Sequence, residues 1–193
     1  MSLRDWTKQS GAFMIGELSE NDSVLKHLTI GTKYLECVTN GNITIPATQA
    51  FGTWEFDIFR PSGNIEIELS GDVLNKYTDN VGTGYWFLFY SNSKTYFPKK
   101  VAGAPTQLMI TASNYMVINT WYSIRITRDI KGIFTLWVKG GAFGDTWTLI
   151  SATDGGTNPT AADLTLTKSN GMSLSLSAGC CVANLKFYDG VRQ

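Results

Sequence analysis

The stretch that decides the fold reads Ala50-Phe-Gly-Thr-Trp-Glu-Phe-Asp-Ile-Phe-Arg60. Its large apolar side chains include Trp54, Phe56 and Ile58, and the acidic residues Glu55 and Asp57 alternate with them. An alternation with a period of two is typical of a β-strand that buries one face. The stretch therefore predicts a long strand with two carboxylates on the face opposite its apolar side chains.

The same alternation recurs along the rest of the chain, and no long window shows the apolar spacing of a helix. Glycine, of which there are 19, and Ser, Thr and Asn interrupt the pattern, about every 8–12 residues, which is the rhythm of a sandwich or barrel. We expect an all-β fold, an antiparallel two-sheet jelly-roll sandwich of about a dozen strands. The further strand candidates are 11–17, 33–38, 41–46, 64–70, 84–90, 95–97, 107–111, 120–128, 132–139, 145–151, 163–167, 172–177 and 182–188.

Two of these strand pairs have the sequence of a hairpin. Asn40-Gly41 lies between the alternating runs 33–38 and 41–46, and both residues tolerate positive φ, which a tight hairpin turn needs. In the runs 120–128 and 132–139 apolar and polar residues alternate clearly, and a short turn joins the two runs. The sequence predicts a hairpin at each place.

Length and charge limit the classes of function. At 193 residues the chain fits one β-sandwich domain, residues 1–193. Sixteen basic and sixteen acidic residues cancel, which argues against nucleic acid as a partner. The sequence lacks an apolar run of about 18 residues, so we expect no membrane span. The N-terminus lacks the layout of a signal peptide, and the expectation is an unprocessed protein made in the cytoplasm.

The three cysteines are Cys37, Cys180 and Cys181. An odd number with an adjacent pair is a poor disulfide framework, so we expect Cys37 and one of the pair to be small buried apolar residues. His27 is the only histidine and lies far from any zinc-binding spacing of cysteines, which excludes zinc.

Three segments together resemble the concanavalin A-like lectin/glucanase jelly roll, also called the laminin-G-like sandwich. They are 51–57, the pair 121–128 and 132–138, and the C-terminal 183–189. They follow one another in the order in which similar segments recur in that superfamily. The resemblance covers most of the chain and implies a two-sheet sandwich of the kind that handles glycans.

A second resemblance is to proteins from tailed phages and viral metagenomes. It rests on Gly-Gly-Ala-Phe-Gly at 140–144 and Thr-Lys-Ser-Asn at 167–170, and it implies a virion-associated role. Those relatives carry acidic residues just before the last strand, where this chain departs from the pattern. If the acids serve a metal, the site has been lost here. The residues at that place are Ser175, Ser177, Cys180 and Cys181.

The carboxylates do not complete a hydrolase motif. Laminarinase-type members of the superfamily use a Glu-x-Asp-x-(x)-Glu strand, whereas Glu55 and Asp57 are followed by Arg60 where the second glutamate belongs. The run Glu66-Ile-Glu-Leu-Ser70 also begins this motif but lacks its third carboxylate. Without a general acid, hydrolysis loses a factor of about 10²–10⁴. We therefore predict no enzyme activity, with a glycan-active hydrolase or lyase as the alternative.

Aromatic residues supply the candidates for ligand binding. Most of the six tryptophans are expected in the core. Trp147 and Tyr96, near glycine-rich or loop segments, are the candidates for exposed rings. Glu55 and Asp57 are further candidates for ligand binding if the ligand lies on the face of the sheet that carries them.

No cofactor is predicted. Calcium is the alternative left open, because Asp154, Asn158 and Asp163 carry oxygen ligands on a predicted loop. A solvated loop without metal is the favoured interpretation.

The sequence thus predicts a non-catalytic recognition or structural module of a virion, such as a capsid decoration, fibre or tail component. It would be made in the host cytoplasm, and glycans or other virion proteins would be its partners. Homo-oligomers and a purely architectural protein without a ligand remain open.

Overall fold

We analysed a computed structural model, which describes residues 7–17, 33–74, 79 and 81–191. Besides strands, these residues contain a short 3-10 turn at Gly141–Phe143. No helix among them is long and apolar enough to cross a membrane. The strands are β1 Thr7–Glu17, β2 Lys33–Ile45, β3 Gly52–Phe59, β4 Ile65–Gly71, β5 Gly84–Phe89, β6 Thr95–Val101, β7 Ala104–Ile110, β8 Trp121–Arg128, β9 Phe134–Lys139, β10 Thr148–Leu149, β11 Gly155–Gly156, β12 Met172–Leu176 and β13 Cys181–Tyr188.

The alternating stretch at 50–60 forms β3, as expected. Trp54, Phe56 and Ile58 are each at most 1% exposed and belong to the main core. β3 pairs antiparallel with β8 on one side and with β13 on the other, so it lies inside its sheet. Because side chains alternate along a strand, Glu55 and Asp57 lie on the side away from the core.

The strands form two packed layers. Their order is β10-β9-β8-β3-β13-β2-β12-β4-β5-β6-β7-β11, and β1 pairs with β2. Aromatic rings of the two layers pack against each other across the core. The ring centre of Phe56 of β3 lies 5.6 Å from that of Phe87 of β5, and the ring centre of Phe97 of β6 lies 4.9 Å from that of Phe134 of β9. The predicted all-β jelly-roll sandwich is confirmed.

The hairpin predicted at Asn40-Gly41 is wrong, because the chain runs straight through these residues in β2. The first part of β2, at 34–36, pairs with β13, and the second part, at 41–45, pairs with β12. β1 pairs along both parts. A tight turn at Asn40 would abolish one set of these ladders, so the tertiary pairing overrides the local turn preference.

Two other strand predictions also differ from the structure. Of the run 145–151, the strand β10 covers Thr148–Leu149 alone, and it pairs with β9. The run 163–167 forms no strand, because its carbonyl groups bind a buried side chain instead of a neighbouring strand. Arg128 donates to the carbonyl oxygens of Asp163 at 2.6 Å and Leu166 at 2.7 Å.

All three cysteines are free and buried. Cys37 and Cys180 lie in the main core, as predicted for Cys37 and one of the pair. Cys181 lies in a second small cluster with Trp121 and Ala183. Burial raises the pKa of the Cys180 and Cys181 thiols to about 12, so both stay protonated at neutral pH and are poor nucleophiles.

Candidate functional site: the outer face of β13, β3, β8 and β9

We call the side of β13, β3, β8 and β9 that faces away from the core the outer face. The register of the sheet sets which of its side chains are neighbours, since directly opposed residues lie about 4.5–5.5 Å apart. One row across the strands runs Trp137, Arg125, Glu55 and Lys186, and the next runs Lys139, Ser123, Asp57 and Ala183. Polar and aromatic groups from four strands are thereby placed side by side.

Trp147 reaches the outer face because the chain turns back after β9. Gly140 makes this turn with a φ of 100°, and a Cβ atom there would lie 2.6 Å from the carbonyl oxygen of Trp121. Only glycine fits both conditions. The loop then carries Asp145 and Trp147 back over Lys139 and Arg125 of the two rows.

Arg125 is the centre of the first row. Its Nε donates to Oε1 of Glu55 at 2.7 Å, and both side chains are only about one-sixth exposed, at 15% and 16%. The guanidinium carbon lies 4.3 Å from the centre of the Trp147 ring, and Nζ of Lys139 lies 4.9 Å from the same ring. Cations over an indole ring are attracted by its negative face, which orients the three side chains.

Asp57 is the most buried acid of the outer face, with 7% of its surface exposed. Burial raises its pKa above the ordinary 3.8, although hydrogen bonds from Ser123 and Asn184 and the charge of Lys139 act in the opposite direction. Asn184 donates its Nδ2 hydrogen to Oδ2 at 2.5 Å. It lies at an irregularity of β13 with a φ of 50°, a conformation that asparagine tolerates, and this bulge turns its amide toward Asp57.

A pocket of about 40 Å³ opens in the second row. This is room for about three water-sized groups, too little for a sugar ring but enough for its substituents. Its lining combines two carboxyl groups, an ammonium group and a hydroxyl group. Tyr122 also borders it, although the ring of Tyr122 lies in the main core beside Phe89. The lining residues are Asp57, Trp121, Tyr122, Ser123, Lys139, Gly140 and Asp145.

Half-buried apolar groups flank the charged rows. Trp137 lies next to Arg125 in the first row, and the 43% exposed Leu149 of β10 lies opposite it. Most of the described tryptophans are buried, as expected: Trp54 lies in the main core, Trp121 in the second small cluster, and Trp86 is 1% exposed. Trp137 and Trp147 are half-buried on the outer face, and Trp6 lies outside the described residues.

The structure brings together three of the four ligand-binding residues predicted from the sequence. Glu55, Asp57 and Trp147 share the outer face. Tyr96 lies on β6 in the other layer, where its ring is 5.4 Å from that of Tyr90 and its hydroxyl oxygen accepts a hydrogen bond from Asn92. Tyr96 therefore belongs to a different surface.

The three candidate calcium ligands each have separate partners. Asp154 forms an ion pair with Lys94. Asn158 bonds through its side chain to the backbone N–H and C=O of Leu136. Asp163 binds the side chains of Tyr85 and Lys99. Within the described part of the chain, no group of three His, Cys, Asp or Glu residues could hold a metal ion.

The acidic run of β4 lies on the far side of the other layer and is covered. Glu66 and Glu68 are 7% and 1% exposed, and Ser173 donates to Glu68 at 3.0 Å. Lys100 on the same side is 2% exposed and donates to the carbonyl oxygen of Asp79 at 2.7 Å. These carboxylates are structural groups of a closed surface.

Sequence reasoning missed the basic and amide groups of the outer face. Arg125 and Lys139 could have been found, because the predicted hairpin of β8 and β9 has a regular alternation that turns both outward. Their position beside Glu55 and Asp57 depends on the pairing of β3 with β8, between residues about 70 positions apart. Asn184 depends on a bulge that leaves no pattern in the sequence.

No family model matches the sequence, and neither does any curated protein. Solved structures match over nearly the whole chain. The carbohydrate binding module CBM66 from Bacillus subtilis is 14% identical, with 94% of this chain and 93% of that chain covered and a TM-score of 0.56. The Emp46p carbohydrate recognition domain is 13% identical, with 98% and 91% covered and a TM-score of 0.54.

A structure described as a native glycosidic hydrolase is also similar, at 11% identity, with 99% and 93% covered and a TM-score of 0.51. At these identities the similarity concerns the fold. The chain has a lectin-like jelly-roll fold, in agreement with the superfamily resemblance of its sequence. The likeness to phage proteins stays a prediction.

Proposed function

We propose that this protein is a non-catalytic carbohydrate-binding module and that its glycan lies on the outer face. The observation that carries the proposal is the grouping of the half-buried rings of Trp137 and Trp147 with the charged groups of Arg125, Glu55 and Lys139. A sugar presents an apolar C–H face and a rim of hydroxyl groups. Aromatic rings bury the first, and charged side chains form strong hydrogen bonds with the second. Two of the similar structures are described as carbohydrate-binding.

The state of the acids supports binding rather than hydrolysis. Glu55 is held by Arg125. Arg60, which stands where a hydrolase would have its second glutamate, is 1% exposed and donates to the carbonyl oxygen of Gly63 at 2.9 Å. Retaining hydrolysis needs two carboxyl groups that flank the scissile bond, and Asp57 is bound to Asn184 and largely enclosed.

The first test is binding to a polysaccharide panel by affinity electrophoresis, followed by calorimetry on the ligands found. We expect the Trp137→Ala and Trp147→Ala variants to bind at least about tenfold more weakly, since an aromatic anchor at a binding site is worth about 1.4 kcal/mol or more. Tyr96→Ala is the matched control, because it removes an aromatic ring from the other layer.

Two results would contradict the proposal. If the wild-type protein bound none of the panel at millimolar concentration, or if Tyr96→Ala alone abolished binding, the outer face would not be a glycan site. Release of reducing ends or unsaturated uronates by the wild-type protein would overturn its non-catalytic part. The similarity to a glycosidic hydrolase makes this second assay necessary.

The setting of the module is proposed from the sequence. The resemblance of 140–144 and 167–170 to phage and viral proteins supports a place on a virus particle, where a glycan-binding module would contact the host surface. Capsid or tail genes beside the coding sequence are the expected finding. Carbohydrate-utilisation genes there would contradict a virion role and leave glycan binding intact.

A further inference from the structure

We infer that the pocket of the outer face receives hydroxyl groups of an uncharged sugar and disfavours uronic acids and sulfated sugars. This inference rests on the proposed function and names the ligand class of the same site. It follows from which groups line the pocket, from the charge balance around it and from its size.

The lining offers hydrogen-bond acceptors and donors together. Asp57 and Asp145 supply carboxylate oxygens, whereas Lys139 supplies an ammonium group and Ser123 a hydroxyl group. A sugar hydroxyl is at once a donor and an acceptor, so it can give its hydrogen to a carboxylate and accept one from the ammonium group. A carboxylate or sulfate group only accepts, and here it would meet two acids.

The surrounding charges do not favour an anion either. Glu55 of the neighbouring row already engages Arg125, the best bidentate anion binder of the face. Across the whole outer face the cations Arg125, Lys139 and Lys186 equal in number the acids Glu55, Asp57 and Asp145. A site that selected anionic sugars would need an excess of positive charge.

The size of the pocket determines which part of the sugar enters. About three water-sized groups fit, so the ring stays outside while one or two substituents enter. Lys139 lines the pocket and also lies 4.9 Å from the Trp147 ring. A sugar ring stacked at Trp147 would therefore direct its hydroxyl or hydroxymethyl groups into the pocket, toward Ser123 and Asp145.

The experiment compares pairs of oligosaccharides that share linkage and differ in charge. Oligomers of β-1,4-mannan against those of β-1,4-mannuronate, and carboxyl-reduced against native galacturonate oligomers, are titrated by calorimetry at physiological salt. In any pair of which one member binds, we expect the uncharged sugar to bind about tenfold or more tightly, which corresponds to one well-made charged contact. Asp145→Asn and Asp57→Asn should each reduce that ratio by about threefold or more.

Asp154→Asn is the matched control. It removes the same charge from an exposed acid outside the pocket, paired with Lys94, and should leave the ratio unchanged. Asp145 is exposed, so its variant is expected to fold even if Asp57→Asn does not.

The outcomes separate this inference from the proposed function. If no member of any pair or of the wider panel binds, the proposed function fails. If glycans bind but the uronate is bound as tightly as its neutral partner, or if Asp145→Asn and Asp154→Asn change the ratio equally, the pocket inference alone fails.

Discussion

At the scale of single residues, Asp57 and Asp163 show that two aspartates with little-exposed side chains can affect stability in opposite directions. Both lose hydration, which by itself raises the pKa. At Asp57 this effect prevails over Ser123, Asn184 and Lys139. At Asp163 the Lys99 ammonium, the Tyr85 hydroxyl and the N–H of Thr165 outweigh it, and the pKa lies well below its ordinary range.

Because the pKa of Asp57 is higher in the folded state than the ordinary 3.8, its proton stabilises the fold at low pH. This stabilisation is complete below the unfolded pKa and is lost as the pH rises through the folded one. We expect Asp57→Asn, which can still accept the bond from Asn184, to melt at the same or a higher temperature than wild type at pH 7. Any gain should vanish below about pH 4. Thermal melts between pH 3 and 8 test this, and a clear loss of stability at pH 7 would contradict it.

For Asp163 the dependence of stability on pH has the opposite sign. Its depressed pKa contributes stability above the ordinary 3.8 that is lost as the pH falls toward the folded value. Asp163→Asn should lower the free energy of unfolding by about 1–3 kcal/mol at pH 7, the usual effect of leaving buried charged partners unsatisfied. The difference should shrink in urea titrations at pH 3. Asp154→Asn, at a more exposed ion pair, should change little at either pH.

At the scale of elements, the β8–β9 hairpin carries the chain segment that follows β11. Gly132 in its turn has a φ of 83° and accepts a hydrogen bond from the N–H of Asp163 at 3.1 Å. Arg128 at the end of β8 is fully buried and donates to the carbonyl oxygens of Ala50, Asp163 and Leu166. The backbone of the segment is thus bound by Gly132 and by the Arg128 side chain where no strand pairs with it.

Gly132→Ala tests this close approach. A Cβ atom there would lie 2.1 Å from the carbonyl oxygen of Asp163, and the positive φ adds strain. We expect a loss of more than about 2 kcal/mol in the free energy of unfolding. Gly144→Ala is the matched control, since its φ of 67° is also positive but nothing lies within 4 Å, so only the backbone strain of about 1 kcal/mol applies. Equal losses in both variants would show that the contact with Asp163 does not matter.

These elements also show what the sequence could predict. The local alternation of apolar and polar residues was sufficient to predict β3 and the β8–β9 hairpin. It was therefore also sufficient to predict that Glu55 and Asp57 point away from the core. It failed at Asn40-Gly41, where long-range pairing of β2 with two strands outweighs a local turn. The contact of Arg125 with Glu55 comes from strands distant in the chain, and that of Asn184 from a bulge. Local periodicity carries no information on either.

At the scale of the whole molecule, the outer face is held in place by the core behind it. Along β3 the outward Glu55 and Asp57 alternate with Trp54 and Phe56, which pack between the layers. Phe56 meets Phe87 of the other layer edge-on at 5.6 Å. The geometry of the proposed glycan site therefore depends on contacts with a layer that does not itself touch the glycan.

Phe87→Leu and Phe87→Ala test how far this dependence goes. Phe87 is fully buried, so truncation to alanine should cost about 3–5 kcal/mol, and leucine should cost less because it leaves a smaller cavity. Since the core residues of both layers form one cluster, we expect tryptophan fluorescence and far-ultraviolet circular dichroism to report the same lowered midpoint. Where Phe87→Leu is fully folded, its glycan affinity should stay within about twofold of wild type, because a repacked core usually keeps the backbone in register. A tenfold loss of affinity in the folded variant would instead mean that the side chains of the outer face shift when the core beneath them repacks, so that the geometry of the site depends on the packing of the core.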